Sequence, residues 1–374
     1  MPCDDTCERT VDFNFTRSNL IEPDPIYHFA NMGWVGFMKL KVADFNNILR
    51  VTSANVNLKQ EITKPDVIDG RIDPTVYQLG PKLIDGTFSM PLIADNRTGG
   101  CPQDVTTEAS TLLNAIWCWV TARGEQGRLL WSDAELEIRY ANHAAYKFSR
   151  AIPNTFSLSV TQGDMIKVDI EVYGTSRSRY NNVESSPLIT DFLAPARVLT
   201  WNDITVNGIG GCSRPDILFY SNQVREFKLD INNHADRFFT LNGSLYPLDV
   251  NVGKREVTGS LKLLGLQDRL REVAETNQDF FTEKNEIRMA MYVGNDTFDP
   301  STSTTIPRDW TSDSAPAGNI FAKKVTGVVF QIEEIEMTNQ VLETTVNWHG
   351  MADDTEEYEA LSPSTSCSFP AWEV

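Results

Sequence analysis

His28, His143, His234 and His349 are the imidazoles this chain offers for acid–base or metal chemistry, and their spacing suits neither. No His-Glu-x-x-His pair exists to hold zinc on one helix face. His143 sits among alanines near Tyr140 and Tyr146 and reads as a surface or strand-edge residue. His349, beside Trp348, reads as structural, and His234 in His-Ala-Asp-Arg reads as a turn residue before a recognition residue. Acid–base catalysis needs two carboxylates converging in a cleft with separated pKa values. Neighbours such as Glu333/Glu334 and Asp353/Asp354 instead point to opposite faces of an extended chain. A phosphate-binding glycine loop, a nucleophile elbow and an EF-hand loop are absent from the sequence. Cysteines stand at Cys3, Cys7, Cys101, Cys118, Cys212 and Cys367 with no Cys-x-x-Cys spacing, which gives no support for a zinc site. Cys118, in an apolar helical stretch, reads as a small buried hydrophobe. Cys3, Cys7 and Cys367 read as solvated thiols of terminal tails, or as cross-links between subunits once the surroundings become oxidising. The expectation is a protein that is not an enzyme and carries no metal or cofactor.

Charge narrows the partners. Lys+Arg is 33 against Asp+Glu 51, a net charge of −18, so no basic stripe is available to grip nucleic acid. A hydrophobic content of 41% is that of an ordinary globule. The longest helical apolar run, AIWCWV at 115–120, is too short for a membrane span, and no membrane insertion is expected. The opening MPCDDTCERT lacks an apolar leader core, so synthesis and retention in a cytoplasm are expected, and Asn-x-Ser/Thr at Asn14, Asn96, Asn242 and Asn295 is read as inert.

What positions these side chains is a shape written twice. Residues 51–90 overlay 224–263 without a gap, bringing Val51 onto Val224, Gly70 onto Gly243, Pro74 onto Pro247, Gly80 onto Gly253 and Gly86 onto Gly259. Glycine and proline set backbone geometry rather than chemistry. Residues 165–174 fall similarly on 341–350. A period this long marks a repeated domain rather than a solenoid unit.

Both copies alternate with the period of a strand. Ala54, Val56 and Leu58 oppose Asn55 and Asn57; Ile84, Phe88 and Met90 oppose Asp85, Thr87 and Ser89; Ile166, Val168, Ile170 and Val172 oppose Lys167, Asp169 and Glu171. Phe156, Leu158 and Val160 share the apolar side. In the second copy Phe227, Leu229 and Ile231 oppose Lys228 and Asp230; Val257, Leu261 and Leu263 oppose Thr258, Ser260 and Lys262; Leu342, Val346 and Trp348 oppose Glu343, Thr345 and Asn347. This is an antiparallel sheet with one core face and one wet face. Each copy has one helical stretch in the same place, 106–122 and 264–279. The chain therefore divides into an arm (1–35), a first domain (36–176), a linker (177–197), a second domain (198–352) and an acidic, then Ser/Pro-rich tail (353–374). Residues 295–320 read as a surface insertion, and the long connections at 61–80 and 233–252 as functional loops.

The stretch Asp230–Asp236, then Gly243-Ser244-Leu245-Tyr246-Pro247, then Val252-Gly253-Lys254-Arg255-Glu256-Val257-Thr258-Gly259-Ser260-Leu261 resembles bacteriophage tail tube proteins. The first copy resembles them through Val51–Gln60, Gly70–Pro74 and Gly80–Gly86, with Pro81-Lys82-Leu83 replacing Lys254-Arg255-Glu256. The resemblance implies a mainly β fold: two tandem tail-tube-like β-sandwich or barrel domains, each flanked by one α-helix. It implies rings that stack into a tube through which phage DNA leaves without specific binding, each domain giving about four strands to an inner barrel. Six domains at ~4.8 Å spacing and ~40° tilt make a barrel of roughly 48 Å. The polar residues named above become candidate lumen-facing positions. Gly70, Arg71, Asp73, Pro74, Gly243, Ser244, Tyr246 and Pro247 become candidate inter-ring loop positions, and Cys3, Cys7 and Cys367 candidate inter-subunit disulfides. Two domains per chain favour a trimeric, pseudo-hexameric ring, with a hexamer as the alternative. The implied partners are other copies of the chain, a sheath, a baseplate hub, a tape-measure protein and a tail terminator, in a virion tail assembled in the bacterial cytoplasm. Two alternatives stand beside this: a baseplate hub or tube initiator, and a carbohydrate-binding or carbohydrate-active β-sandwich of a tail fibre using Trp131, Trp201 and Trp310.

Overall fold

The computed structural model describes residues 36–42, 45–49, 51–63, 78–95, 105–123, 133–140, 144–180, 196–210, 217–241, 243–265, 267–276, 285–292, 310, 321–337 and 342–350. The arm, the tail, Gly70, Arg71, Asp73, Pro74, Trp131, Cys3, Cys7 and Cys367 lie outside the described residues. The first half contains β1 (Gly36–Val42), β2 (Phe45–Leu49), β3 (Ser53–Thr63), β4 (Gln78–Pro91), β5 (Ile93–Asp95), helix α1 (Val105–Thr121), β6 (Glu135–Tyr140), β7 (Ala144–Ser149), β8 (Ile152–Thr161), β9 (Lys167–Gly174) and β10 (Ser176–Tyr180). The second contains β11 (Ala196–Val198), β12 (Ile204–Ile209), β13 (Ile217–Phe219), β14 (Val224–Asn232), β15 (Asp236–Phe238), β16 (Asp249–Asn251), β17 (Glu256–Leu264), helix α2 (Asp268–Thr276), β18 (Glu286–Met291), β19 (Phe321–Val325), β20 (Val328–Met337) and β21 (Leu342–Gly350). The fold is mainly β, as the alternation predicts.

Four strands from each half make one eight-stranded antiparallel sheet in the order β3-β4-β9-β8-β14-β17-β21-β20. The order within each half is the same: β3, β4, β9 and β8 stand where β14, β17, β21 and β20 stand. Smaller sheets cover its apolar side, β10-β7-β6-β1-β2 in the first half and β13-β12-β18-β19 in the second. Here too β7-β6-β1-β2 and β19-β18-β12-β13 follow one order, and each half carries its helix between equivalent strands. Residues 177–180, read from sequence as the start of the linker, belong to strand β10 on the edge of the first covering sheet.

One continuous core runs beneath both halves rather than one per domain. The sheet contributes Phe88, Leu158, Ile170, Leu229, Leu261, Val346 and Trp348; the covering layers contribute Leu40, Leu136, Met289 and Phe321. Residues 115–121 of helix α1 are apolar enough to be covered on all sides. The helix buries Ile116, Trp117, Trp119 and Val120, and Trp117 meets Phe156 of β8 and Phe321 of β19 edge-on at 6.1 and 5.5 Å. Helix α2 is polar apart from Leu270, Val273 and Ala274, which sit on the core. Cys118 of α1 is buried as expected but is joined in a disulfide; the other five cysteines lie outside the described residues.

Glycine shapes the second half at one point. Gly259 faces Leu229 on one side and Trp348 on the other, and a Cβ there would come within 2.2 Å of the indole. The indole lies flat against Phe227, centroids 6.4 Å apart. Gly86 occupies the same register opposite Val56 and Val172.

Candidate functional site

The candidate lumen-facing residues come together on the side of the large sheet away from the core. Strand pairing arranges them in rows. One row runs Ser53, Ser89, Asp169, Ser157, Asp230, Thr258, His349, from edge strand β3 to β21. Another runs Asn55, Thr87, Glu171, Thr155, Asn232, Glu256. A third runs Lys167, Ser159, Lys228, Ser260, Asn347, Gln331. Asn57 lies opposite Asp85, and Lys262 opposite Thr345. Period-two alternation identified this face strand by strand; the polar side of β8 and the whole of β20 were missed, although Val328-Phe330-Ile332 against Val329-Gln331-Glu333 carries the same signal.

The face is acidic, and three of its lysines are engaged by carboxylates. Lys59 reaches Asp85 at 3.3 Å, Lys228 reaches Asp230 at 2.8 Å, and Lys262 reaches Glu343 at 2.9 Å. Ser89 donates to Asp169, Asn57 donates to Asn55 at 2.6 Å, and Asn347 donates to Glu333 at 2.9 Å. Asn55, Asn57, Thr87, Lys167, Asp169 and Lys228 are exposed. Glu343 differs: it is buried at the end of β21, where Arg225 of β14 joins Lys262 in holding it. The hydrogen bond from Lys262, with that from Arg225, holds its carboxyl below the usual range, overcoming the effect of burial. A depressed folded pKa stabilises the fold above the unfolded value, and that contribution is lost as pH falls through the depressed value. Glu343→Gln is therefore expected to flatten the fall in melting temperature below about pH 4.5. Thermal scans from neutral to acid pH check this; parallel curves for both proteins would contradict it.

The connection 233–252 does not stand free. It carries the small β15–β16 ladder and folds across strand ends of the first half. Arg237 pairs with Asp85, donates to the Ile84 carbonyl at 3.3 Å and stacks over Tyr173 at 3.8 Å. Burial lowers the Arg237 pKa and, with Glu171 nearby, raises that of Tyr173. The Leu245 carbonyl accepts from the Lys82 N–H at 2.7 Å, and the Lys82 ammonium lies 4.8 Å from the Tyr246 ring. Gly243 adopts φ +78 at an exposed turn beside exposed Ser244; Tyr246 is half-buried and Pro247 buried. Phe238, Phe239, Leu241 and Leu248 of this connection face solvent. At its base Asn233 is fully buried and donates to the carbonyls of Val120 and Pro153, both at 3.0 Å, while Arg255 donates to Thr121 at 2.7 Å. These two residues close the C-terminus of α1, whose last carbonyls have no partner within the helix. His234, with φ +46, is a turn residue as read from sequence.

A cleft of about 260 Å³ opens where β8 meets β14, between Val160, Phe227, Ile204 and exposed Trp201. No carboxylate lines it, so it offers no acid–base pair for glycoside hydrolysis. Trp310 is buried, with Arg288 5.8 Å from its ring, and is not available for stacking on a sugar. Among the described residues no cluster of His, Cys, Asp or Glu could hold a metal ion, and no helix is long and apolar enough to cross a membrane.

Among the described residues the large sheet presents one wet face and ends at the edge strands β3 and β20. The family model for phage tail tube proteins matches residues 51–264, from just before β3 to the end of β17, and the chain belongs to that family. No curated protein matches the sequence.

Proposed function

We propose that the chain is the subunit of a phage tail tube: three copies close side by side into a ring around a channel, and rings stack to conduct the genome during infection. The strand order carries this reading. Within the chain, β8 of the first four-strand unit pairs with β14 of the second. Strand β20 has the place of β8, and β3 the place of β14, and both are edges of the sheet. The chain thus has one edge of each kind left over, and a second copy supplies the complement of each. Such a head-to-tail contact generates a ring when its rotation closes, and closure leaves no edge exposed to aggregate.

A trimer, in which six similar units surround the channel, fits two halves that share one sheet with their polar sides together. A hexamer with only one half lining the channel would break that shared sheet. The acidic polar face suits a wall that DNA passes without being held, with repulsion acting over ~8–10 Å. The exposed apolar side chains of the 233–252 connection at one end of the sheet, and Met165, Trp201 and Tyr220 at the other, suit contacts between stacked rings. On this reading the chain is a non-enzymatic component of the virion tail, assembled in the host cytoplasm. Its partners are its own copies together with sheath, hub, tape-measure and terminator proteins. Negative-stain microscopy of the purified chain tests the reading: rings or tubes with a stain-filled channel are expected, and filaments without a channel would contradict it.

A further inference from the structure

We infer that the seam between chains repeats the register of the β8–β14 junction, with one extra residue in β20, and that the stagger of this junction sets the strand tilt and the bore of the ring. The inference rests on the ring proposed above and adds the register, which ring formation alone leaves open.

The two units superpose strictly in their first ladder. Asn55 faces Thr87 and Val56 faces Gly86; Lys228 faces Ser260 and Leu229 faces Gly259. Lys228 is therefore the equivalent of Asn55, and Glu226 that of Ser53. Following the pairing straight across from Asn55 leads through Thr87, Glu171 and Thr155 to Asn232, four residues beyond Lys228. Starting from Ser53, the path runs through Ser89, Asp169 and Ser157 to Asp230, four residues beyond Glu226. Each four-strand unit advances the register by four residues, so a barrel closed from such units has a shear equal to its strand number. That ratio corresponds to a tilt of ~36° whatever the number of units. Three eight-stranded chains at ~4.8 Å spacing then give a backbone diameter of roughly 45 Å.

The same stagger fixes the seam. From Glu226 the path crosses Lys262, Thr345 and Glu334 and must arrive at Asn57 of the next chain. From Lys228 it crosses Ser260, Asn347 and Gln331 and arrives at Lys59. The paths differ by one residue because β20 bulges between Ile332 and Glu334, inside the interval they span, whereas the β8 bulge between Pro153 and Thr155 lies outside the corresponding interval. On the core side Ile335 comes opposite Val56, in the place where Leu158 meets Leu229. Leu158 and Leu229 are 1% and 0% exposed, whereas Ile335 is 47% exposed in the single chain. Ring closure at this register gives Ile335 the cover its counterpart already has. Ala54 and Leu58, half-buried on the core side of β3, receive the rest of that edge.

Paired cysteines test the register in the full-length assembled protein. Opposed strand positions bring Cβ atoms to ~4.5–5.5 Å, close enough for a disulfide to form with slight adjustment. Under mild oxidation Asn57→Cys/Glu334→Cys is expected to shift the chain to covalent dimers and trimers on non-reducing gels, with the bridged peptide identified by mass spectrometry. Asn57→Cys/Gln331→Cys and the single variants are expected to show no such shift. Rings that persist while cross-linking runs through Gln331, or through neither pair, overturn the register and leave the ring standing. If the unmodified chain forms no ring, the assembly reading fails and the register with it. Should the cysteine pair prevent folding, strand tilt in an electron-microscopy map of the unmodified ring decides: ~36° is expected, and strands parallel to the axis would overturn the inference.

Discussion

Gly259→Val is expected to abolish soluble folded protein, and Gly259→Ala to lower stability by about 3 kcal/mol or more. A Cβ at this position would lie 2.1 Å from the Lys228 carbonyl oxygen and 2.2 Å from the Trp348 indole. Neither neighbour can yield cheaply. The carbonyl belongs to the β14 strand that joins the two halves, and the fully buried indole is fixed against Phe227. With total stabilities of ~5–15 kcal/mol, such a clash removes a large fraction of what holds a domain together. Gly86→Ala, in the same register but opposite Val172 rather than a tryptophan, is expected to be milder. Urea midpoints of the two alanine variants check the comparison; a Gly259→Ala midpoint equal to that of the parent would show that the indole has another place to go.

Trp117→Ala is the second change expected to be severe, costing about 3–5 kcal/mol. The side chain is 2% exposed and makes an edge-on contact from α1 of the first half to Phe321 of β19 in the second. Its loss leaves a cavity below the β8–β14 junction, so the halves lose coupling as well as core. The coupling is measurable. A double-mutant cycle of Trp117→Ala with Phe321→Ala is expected to deviate from additivity by roughly 0.5–1.5 kcal/mol, as an edge-on aromatic pair should. Additive effects would mean that the two rings merely share a neighbourhood.

Much of this architecture was legible in the sequence because it is periodic. Phe227-Leu229-Ile231 against Lys228-Asp230 can be laid only one way on a half-buried sheet, since a one-residue slip exchanges the faces. The matching positions of Gly86 and Gly259 in the two copies put β4 and β17 in the same register. What stayed hidden depends on contacts distant in sequence. Nothing in Phe156-Leu158-Val160 says that β8 will pair with β14 some 70 residues later and so join the cores of the two halves. Ser176–Tyr180 is too polar to announce a strand and becomes one by edge pairing with β7. Arg237, Asn233 and Arg255 look like ordinary loop polars. Their work of clamping the 233–252 connection and closing helix α1 appears only when the first half is placed beneath them. Trp310 lies in a stretch, 295–320, whose Asp, Ser and Thr content reads as a surface insertion, yet its backbone N–H is tied to fully buried Asn207 and its ring is covered.

The central claim is that two like four-strand units, joined in one sheet, place their polar sides around a common channel when copies close edge to edge. A cryo-electron microscopy map of the assembled particle, at a resolution that separates strands, tests it most directly. The account predicts three chains per ring, eight strands from each, with Asp169, Asp230 and Thr258 facing the channel and β20 of each chain hydrogen-bonded to β3 of the next. Six chains per ring with one half of each turned away from the channel, or Phe88 and Leu229 facing it, would contradict the account.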